Sequence, residues 1–410
     1  MKKEREDYVW FDIDKIKEIK EQQTYLDCAA TTFPKPNCVY EAMDTVNRCL
    51  CVNAGRGSYE LARMATEGID ALRQELLQVV NATEEKQVIF TPSATMACNM
   101  ILGGIALSER DRVYVSPFLH NAVMRTLWMQ QKKCGCSVEI LPTGVNNWEI
   151  DLEKTAYIFQ DKKPNYVFLS HVCNVTGYRL PIEEIFTLAK EATGGEAKVI
   201  IDGAQSFGLV DMDDRKYPYD AIIFAGHKTL HGPFGIAGFL KEKSFLLDPV
   251  IAGGTGSDSL NVSMPKELPL ALEPGSPNLP AVAGLYAALQ YRKQVGIQKL
   301  YEKEKYLTKL LVEGLEQIEG VTLYVPQNRE RHIGIVSFQL EGYRADEVGM
   351  ILDEDYHISV RTGYHCAPLV HDKIGSKIMG GTVRASLGWF STEEDVRKLI
   401  KAVEEISRFL

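Results

Sequence analysis

At 410 residues the chain exceeds the ~250–300 residues at which a single hydrophobic core stops growing, so two domains are expected. Its 45% hydrophobic and 25% charged residues are those of an ordinary soluble globular protein, and a net charge of −9 argues against nucleic acid or anionic membrane as the main partner. No apolar run approaches the ~18 residues of a spanning helix, the opening MKKERED is charged with no apolar core behind it, and nine cysteines without a secretory signal point to reduced thiols in the cytoplasm.

Residues 3–23 carry a sparse apolar period among charges, expected as a surface helix packed on another element. YLDCAATTFPKP, from Tyr25 to Pro36, reads as a strand and a small-residue turn; 37–50 and 60–80 read as helices around a glycine-broken loop. From residue 88, short Val- and Ile-rich runs alternate with helical stretches of about 10–15 residues, the pattern of βαβ crossovers and a mainly parallel sheet covered on both faces. A seven-stranded sheet is expected for the large domain, with one strand at Ala221–Ala225 followed by a loop containing Gly232, Pro233, Gly235 and Gly238. Cys49/Cys51 and Cys134/Cys136 lack a second pair at zinc-like spacing, so no metal is expected. Residues 251–280 form a Gly-, Pro- and Ser-rich segment, and an irregular stretch of that length is usually functional.

Beyond it, helices over 281–295 and 297–318, strands VTLYV and IGIVSFQL, and a helix at 345–353 precede ISVRTGYHCAPLVH. A last strand, a turn and a helix capped by Ser391/Thr392 with Glu394 close the chain. The expected division is a large domain at 24–280, and a smaller α+β domain made of 1–23 and 281–410.

Open parallel sheets bind ligands beyond the carboxyl ends of their strands. Thr95, His120, Asn174, Asp202 and Lys228 all fall there, each shortly after an apolar run. A lysine at a buried strand end is desolvated, which lowers its pKa towards nucleophilic use. A Lys Schiff base with pyridoxal phosphate is a recurring use of such an amine, and it requires an Asp partner for the pyridine nitrogen. Asp202, at the end of KVIID, stands where that partner belongs.

GHK after a strand, DGAQ one strand earlier and RTGYHCA near the end, in this order, resemble the class V aminotransferases, and within them the cysteine desulfurases of the short-loop, Suf-like group. The likeness runs from YLDCAATTFPKP to VRASLGWFST and implies a fold-type I, pyridoxal 5'-phosphate-dependent α/β enzyme. Lys228 would hold the cofactor and move protons on the substrate; Asp202 would pair with the pyridine nitrogen; Gln205, one turn up a helix, and Asn174 would reach the phenolic oxygen; His120 would stack on the ring. The phosphate would sit on amides around Ala94 and Thr95, with the Thr95 hydroxyl and His227 as further donors. Ser276 of EPGSPN would reach the phosphate of a partner subunit, which implies a homodimer with shared sites.

Arg384 would grip the substrate carboxylate, with Arg361, Arg56 and Asn174 beside it. Cys366 would be the nucleophile that takes sulfur from L-cysteine as a persulfide, releases alanine and passes the sulfur to an acceptor protein. Other class V activities, a selenocysteine lyase or an aminotransferase, keep Lys228 and Asp202 without needing Cys366; a non-catalytic scaffold is the remaining alternative. The chain departs from the Suf-type pattern at Ala225, where those enzymes carry serine, at Gly55, where they carry histidine, in SATMACN, and in a longer KTLHGP loop that gives His231 no counterpart. Cys28, Cys98 and Cys173 are expected to be packing residues.

Overall fold

In the computed structural model, residues 12–409 are described except Arg56, Asn146 and 257–259. In chain order the elements are α1 (Ile13–Gln22), β1 (Thr24–Tyr25), α2 (Asn37–Cys49), α3 (Glu60–Val79), β2 (Lys86–Thr91), α4 (Ala94–Gly104), β3 (Arg112–Val115), α5 (Asn121–Cys134), β4 (Ser137–Ile140), α6 (Leu152–Asp161), β5 (Tyr166–Ser170), α7 (Ile182–Thr193) and β6 (Lys198–Asp202). There follow β7 (Ala221–Ala225), β8 (Ala237–Glu242), α8 (Leu279–Val295), α9 (Ile297–Leu315), β9 (Val321–Tyr324), β10 (Ile335–Leu340), α10 (Ala345–Glu354), β11 (Ile358–Ser359), β12 (Arg361–Gly363), α11 (Pro368–Ile374), β13 (Thr382–Ser386) and α12 (Glu393–Ser407).

Seven strands form one sheet in the order β2-β8-β7-β6-β5-β3-β4. The pairs among β3 to β7 are parallel, and β8 alone runs against its neighbours β7 and β2. The inner strands β5, β6 and β7 are almost wholly apolar because both their faces are covered. Side chains alternate across a strand, so Val88, Leu169, Ile201, Ile222 and Leu240 enter one core with Leu72, Ile185 and Leu285 from helices. Ile89, Phe168, Ile200, Ile223 and Phe239 enter another with Ile101 and Leu127. A separate antiparallel sheet, β12-β13-β10-β9, packs Val336, Phe338, Val383 and Ala385 against Leu311, Leu352 and Leu399. Leu26, just after β1, joins this third core, and β1 pairs with β11.

Several expectations change. Gly238 lies inside β8 rather than in a loop, where a Cβ would collide with the Ile89 carbonyl of β2; the glycine disguised a strand as a turn. Helix α1 buries none of its side chains and meets the rest of the fold through Lys20, which lies over the Phe33 ring 5.6 Å from its centroid; residues 3–11 of the expected helix lie outside the described residues. The α12 capping box is Thr392 with Asp395, not Glu394, because the side chain that reaches back to the cap is the one at the third helical position. Helix α11 adds to the tail a turn of structure hidden in APLVH.

Candidate active site

β6 and β7 are parallel neighbours with Asp202 opposite Ile223, so the two strands deliver Asp202 and, three residues past Ala225, Lys228 to the same sheet edge. Backbone clamps fix the lysine. Thr32 Oγ1 donates to the Lys228 carbonyl at 2.7 Å, and Thr31 Oγ1 to that of His227 at 3.0 Å. Burial pushes the Lys228 ammonium down to about 8; Asp202 opposes the shift, while Arg384 and Arg361 add to it. A cleft at this edge is lined by Ser93, Ala94, Thr95, Cys98, His120, Asn174, Asp202, Gln205, His227 and Lys228, among others.

Opposite the lysine stands the start of α4. Ser93 caps it, accepting from Met96 N at 3.2 Å, and Ala94 and Thr95 of its first turn, whose N–H groups have no partner within the helix, line the cleft as an anion site. His227 stacks on Phe234 with ring centroids 4.6 Å apart. Burial pushes its imidazole down to about 4, and its Nδ1 is buried without a partner. A neutral imidazole with a free nitrogen beside a helix N-terminus suits a phosphate; with a deprotonatable lysine and a carboxylate in one cleft, the residues fit pyridoxal phosphate.

His120 caps α5, its Nδ1 accepting from Ala122 N at 3.0 Å. Capping and ring contact are compatible, since this bond places the proton on Nε2 and leaves that end free. Gln205 lies in a turn rather than on a helix; its Nε2 donates to Ala29 O at 2.9 Å. Asn174 links the cleft to the remaining groups. Its Nδ2 donates to His365 O at 2.7 Å, and its own carbonyl accepts from Arg384 Nη1 at 2.9 Å.

Arg384 is buried and paired with Asp27, Nη2 to Oδ1 at 2.8 Å, while its Nε lacks a partner. Arg361 stands opposite it across β12 and β13. Cys366 is exposed, and its carbonyl accepts from Asn121 N at 2.7 Å, which holds the thiol loop one residue from His120. His365 and Cys366 have φ of 46° and 56°, consecutive left-handed conformations that cost side-chain-bearing residues about 1–3 kcal/mol each and collect at functional loops.

Ser276 is exposed and does not line the cleft, and Arg56 lies outside the described residues. Cys98, expected to be a packing residue, sits in an apolar core and lines the cleft as well. Asp27, Thr31, Thr32 and Ser93 escaped the sequence reading. Only Ser93 had a local signal, a cap residue before a helix; the others act on groups nearly 200 or more positions away in the chain.

A smaller polar cavity shares Gln205 with the cleft and is lined by Cys28, Thr32, His231, Glu304 and Ser386 among others. Burial pushes the Glu304 carboxyl up to about 8 against the pull of Arg292. A folded-state pKa above the unfolded value makes stability fall as pH rises from about 4.5 to 8. Glu304→Gln should therefore gain stability relative to the parent over that range, and denaturant midpoints at pH 5 and 8 check this; an unchanged difference would refute it.

Among the described residues no group of three His, Cys, Asp or Glu could hold a metal, and no helix is long and apolar enough to cross a membrane. The family model for class V aminotransferases matches residues 24–399. A probable cysteine desulfurase of Halalkalibacterium halodurans is 32% identical over 94% of this chain and 93% of its own; one of Pyrococcus abyssi is 31% identical over 97% and 98%. The apo structure of a cysteine desulfurase from Thermococcus onnurineus NA1 superposes with a TM-score of 0.87 at 29% identity, covering 98% of this chain and all of the other. An Escherichia coli cysteine desulfurase structure gives 0.82 at 26%, over 98% and 100%. With a lysine, a carboxylate and a helix N-terminus around one cleft, and these likenesses over nearly its full length, the chain belongs to the class V aminotransferase family of pyridoxal-phosphate enzymes.

Proposed function

We propose that the chain is a cysteine desulfurase that converts L-cysteine to L-alanine and collects the sulfur as a persulfide on Cys366. The observation that carries this is one cleft holding a desolvated lysine, an aspartate and a helix N-terminus, with a strained, exposed cysteine loop tied to it through Asn121 and Asn174. Lys228 would hold pyridoxal phosphate, Asp202 its ring nitrogen, Gln205 and Asn174 its phenolic oxygen, and His120 its ring face. Ala94, Thr95 and His227 would hold the phosphate. Pyridoxal phosphate, when bound, supplies the electron sink that accommodates a carbanion next to the substrate amine.

The chain's own residues do the rest. Arg384, oriented by Asp27, and Arg361 and Arg56 would hold the substrate carboxylate, for which a planar guanidinium fork is suited. Lys228 Nζ would move the α-proton. The Cys366 thiolate would attack the substrate sulfur: the new S–S bond forms, the C–S bond breaks, and its electron pair stays on carbon, which takes a proton and leaves as alanine. His120, with its proton on Nε2, is placed to give one.

Ser276 acting in the site of a second copy, and hence a homodimer with shared sites, is supported by the exposure of Leu61, Met64, Phe234, Leu260 and Val262, apolar side chains that association would cover. The cytoplasm, a sulfur-acceptor protein, and the division into 24–280 and 1–23 with 281–410 complete the proposal. The test is incubation with L-cysteine and a thiol reductant: alanine and sulfide should appear in equal amounts. Pyruvate and ammonia, or a keto-acid-dependent reaction, would sink the desulfurase reading.

The depressed Lys228 pKa has its own consequence. Only the neutral amine captures the cofactor aldehyde, so uptake of pyridoxal phosphate by the apo-protein should rise with pH around a midpoint near 8 and level off above it. Stopped-flow absorbance checks this; a rate still climbing towards pH 10 would show an ordinary, solvated lysine.

A further inference from the structure

β2 is an edge strand: β8 pairs with one side of it, and the other side faces no strand. Unpaired edge groups are normally left to water, but two of them here are taken up by side chains. Arg73 of α3 donates from Nη1 to the Val88 carbonyl at 2.5 Å, and Glu273 accepts from Phe90 N at 2.5 Å through Oε1. The two side chains then close on each other as a bidentate pair, Nη1 to Oε1 at 2.9 Å and Nη2 to Oε2 at 2.6 Å. Arg73 also lies over the Phe90 ring, 4.5 Å from its centroid. The pair is mostly buried, with side-chain exposures of 10% and 19%.

The pair's position gives this clamp a direction. One residue past Phe90 the strand ends at Thr91, whose hydroxyl donates to the Ser93 carbonyl at 2.9 Å. Ser93, Ala94 and Thr95 then turn into α4 and line the cleft. On the other side, Glu273 anchors a segment whose Gly275 N donates to Gly254 O at 2.8 Å and whose next residue is Ser276. We propose that Arg73 and Glu273 are positioning residues for the anion-binding end of the site. They stand in for the missing neighbour of β2 and fix the strand end from which the helix amides reach the cofactor phosphate. The inference rests on the pyridoxal-phosphate reading above.

The test exploits the phosphate. Apo-protein is titrated with pyridoxal phosphate and with pyridoxal, which has the same aldehyde and ring but no phosphate, in the parent, Glu273→Gln and Arg73→Lys. A positioning role predicts that the dissociation constant for pyridoxal phosphate rises about tenfold in both variants, while that for pyridoxal moves less than twofold. Arg73→Lys keeps the charge and loses only the fork, so it carries the test where Glu273→Gln does not fold. Equal weakening of both ligands would mean a general loosening of the fold and overturn the proposal, as would no change in either. Failure of the parent to take up pyridoxal phosphate at all would instead strike the cofactor reading, and this inference would go with it.

Discussion

Lys228→Ala is expected to remove the visible absorption that pyridoxal phosphate gives when attached to the protein, and to lower alanine formation from L-cysteine by at least about 10³-fold. Both effects come from one amine. Lys228 is held by its backbone, through Thr32 to its own carbonyl and Thr31 to that of His227, so its loss should leave the cleft's shape intact. Burial already disfavours its charged form, and removing a desolvated ammonium from the interior should cost little stability. The variant should therefore fold with a melting temperature within a few degrees of the parent. A spectrum unchanged from the parent's would show that the cofactor is attached elsewhere or not at all. Lys228→Arg keeps the positive charge without a nucleophilic amine and should be as inactive as the alanine variant.

The cleft was readable from the sequence to the extent that its residues follow strands. Asp202 and Lys228 each end a short apolar run, and a parallel sheet turns that local fact into a shared edge. The parts that were not readable depend on contacts between distant stretches. Asp27 reaches Arg384 across the fold, and Thr31 and Thr32 reach the turn that carries Lys228; no local pattern marks a residue whose partner is supplied by tertiary packing. β8 was missed for a different reason. Gly235 in the turn before it and Gly238 inside it obey opposite requirements: Gly235 has φ 82° and turns the chain, whereas Gly238 is extended in the strand and is small because the β2 backbone lies close. Composition alone does not separate these two uses of glycine. The resemblance puts Gln205 one turn up a helix, yet Gly203 and Gly208 bracket it, and Gly208 has φ 76°, which ends any helical run before it completes two turns.

Cys366→Ala separates the chemistry of sulfur removal from that of cofactor binding. It should keep the parent's absorption spectrum, since none of the side chains that line the cleft is altered, while alanine formation from L-cysteine falls at least about 10²-fold. The left-handed backbone at Cys366 sharpens the design. Alanine at φ 56° bears the same strain as cysteine, so the substitution changes the thiol and not the loop. Cys366→Gly relaxes that strain, by about 1 kcal/mol, and should be equally inactive but more mobile at the loop. If activity tracked the strain, alanine would be active and glycine not; if it tracks the thiol, both are dead. The reading requires the second outcome, together with a persulfide on Cys366 in the parent, seen by mass spectrometry as one added sulfur after cysteine is mixed with the enzyme without reductant. Cysteine turnover that survives in Cys366→Ala would leave Lys228 and Asp202 in place but make the chain a lyase in which the strained loop serves geometry rather than sulfur transfer.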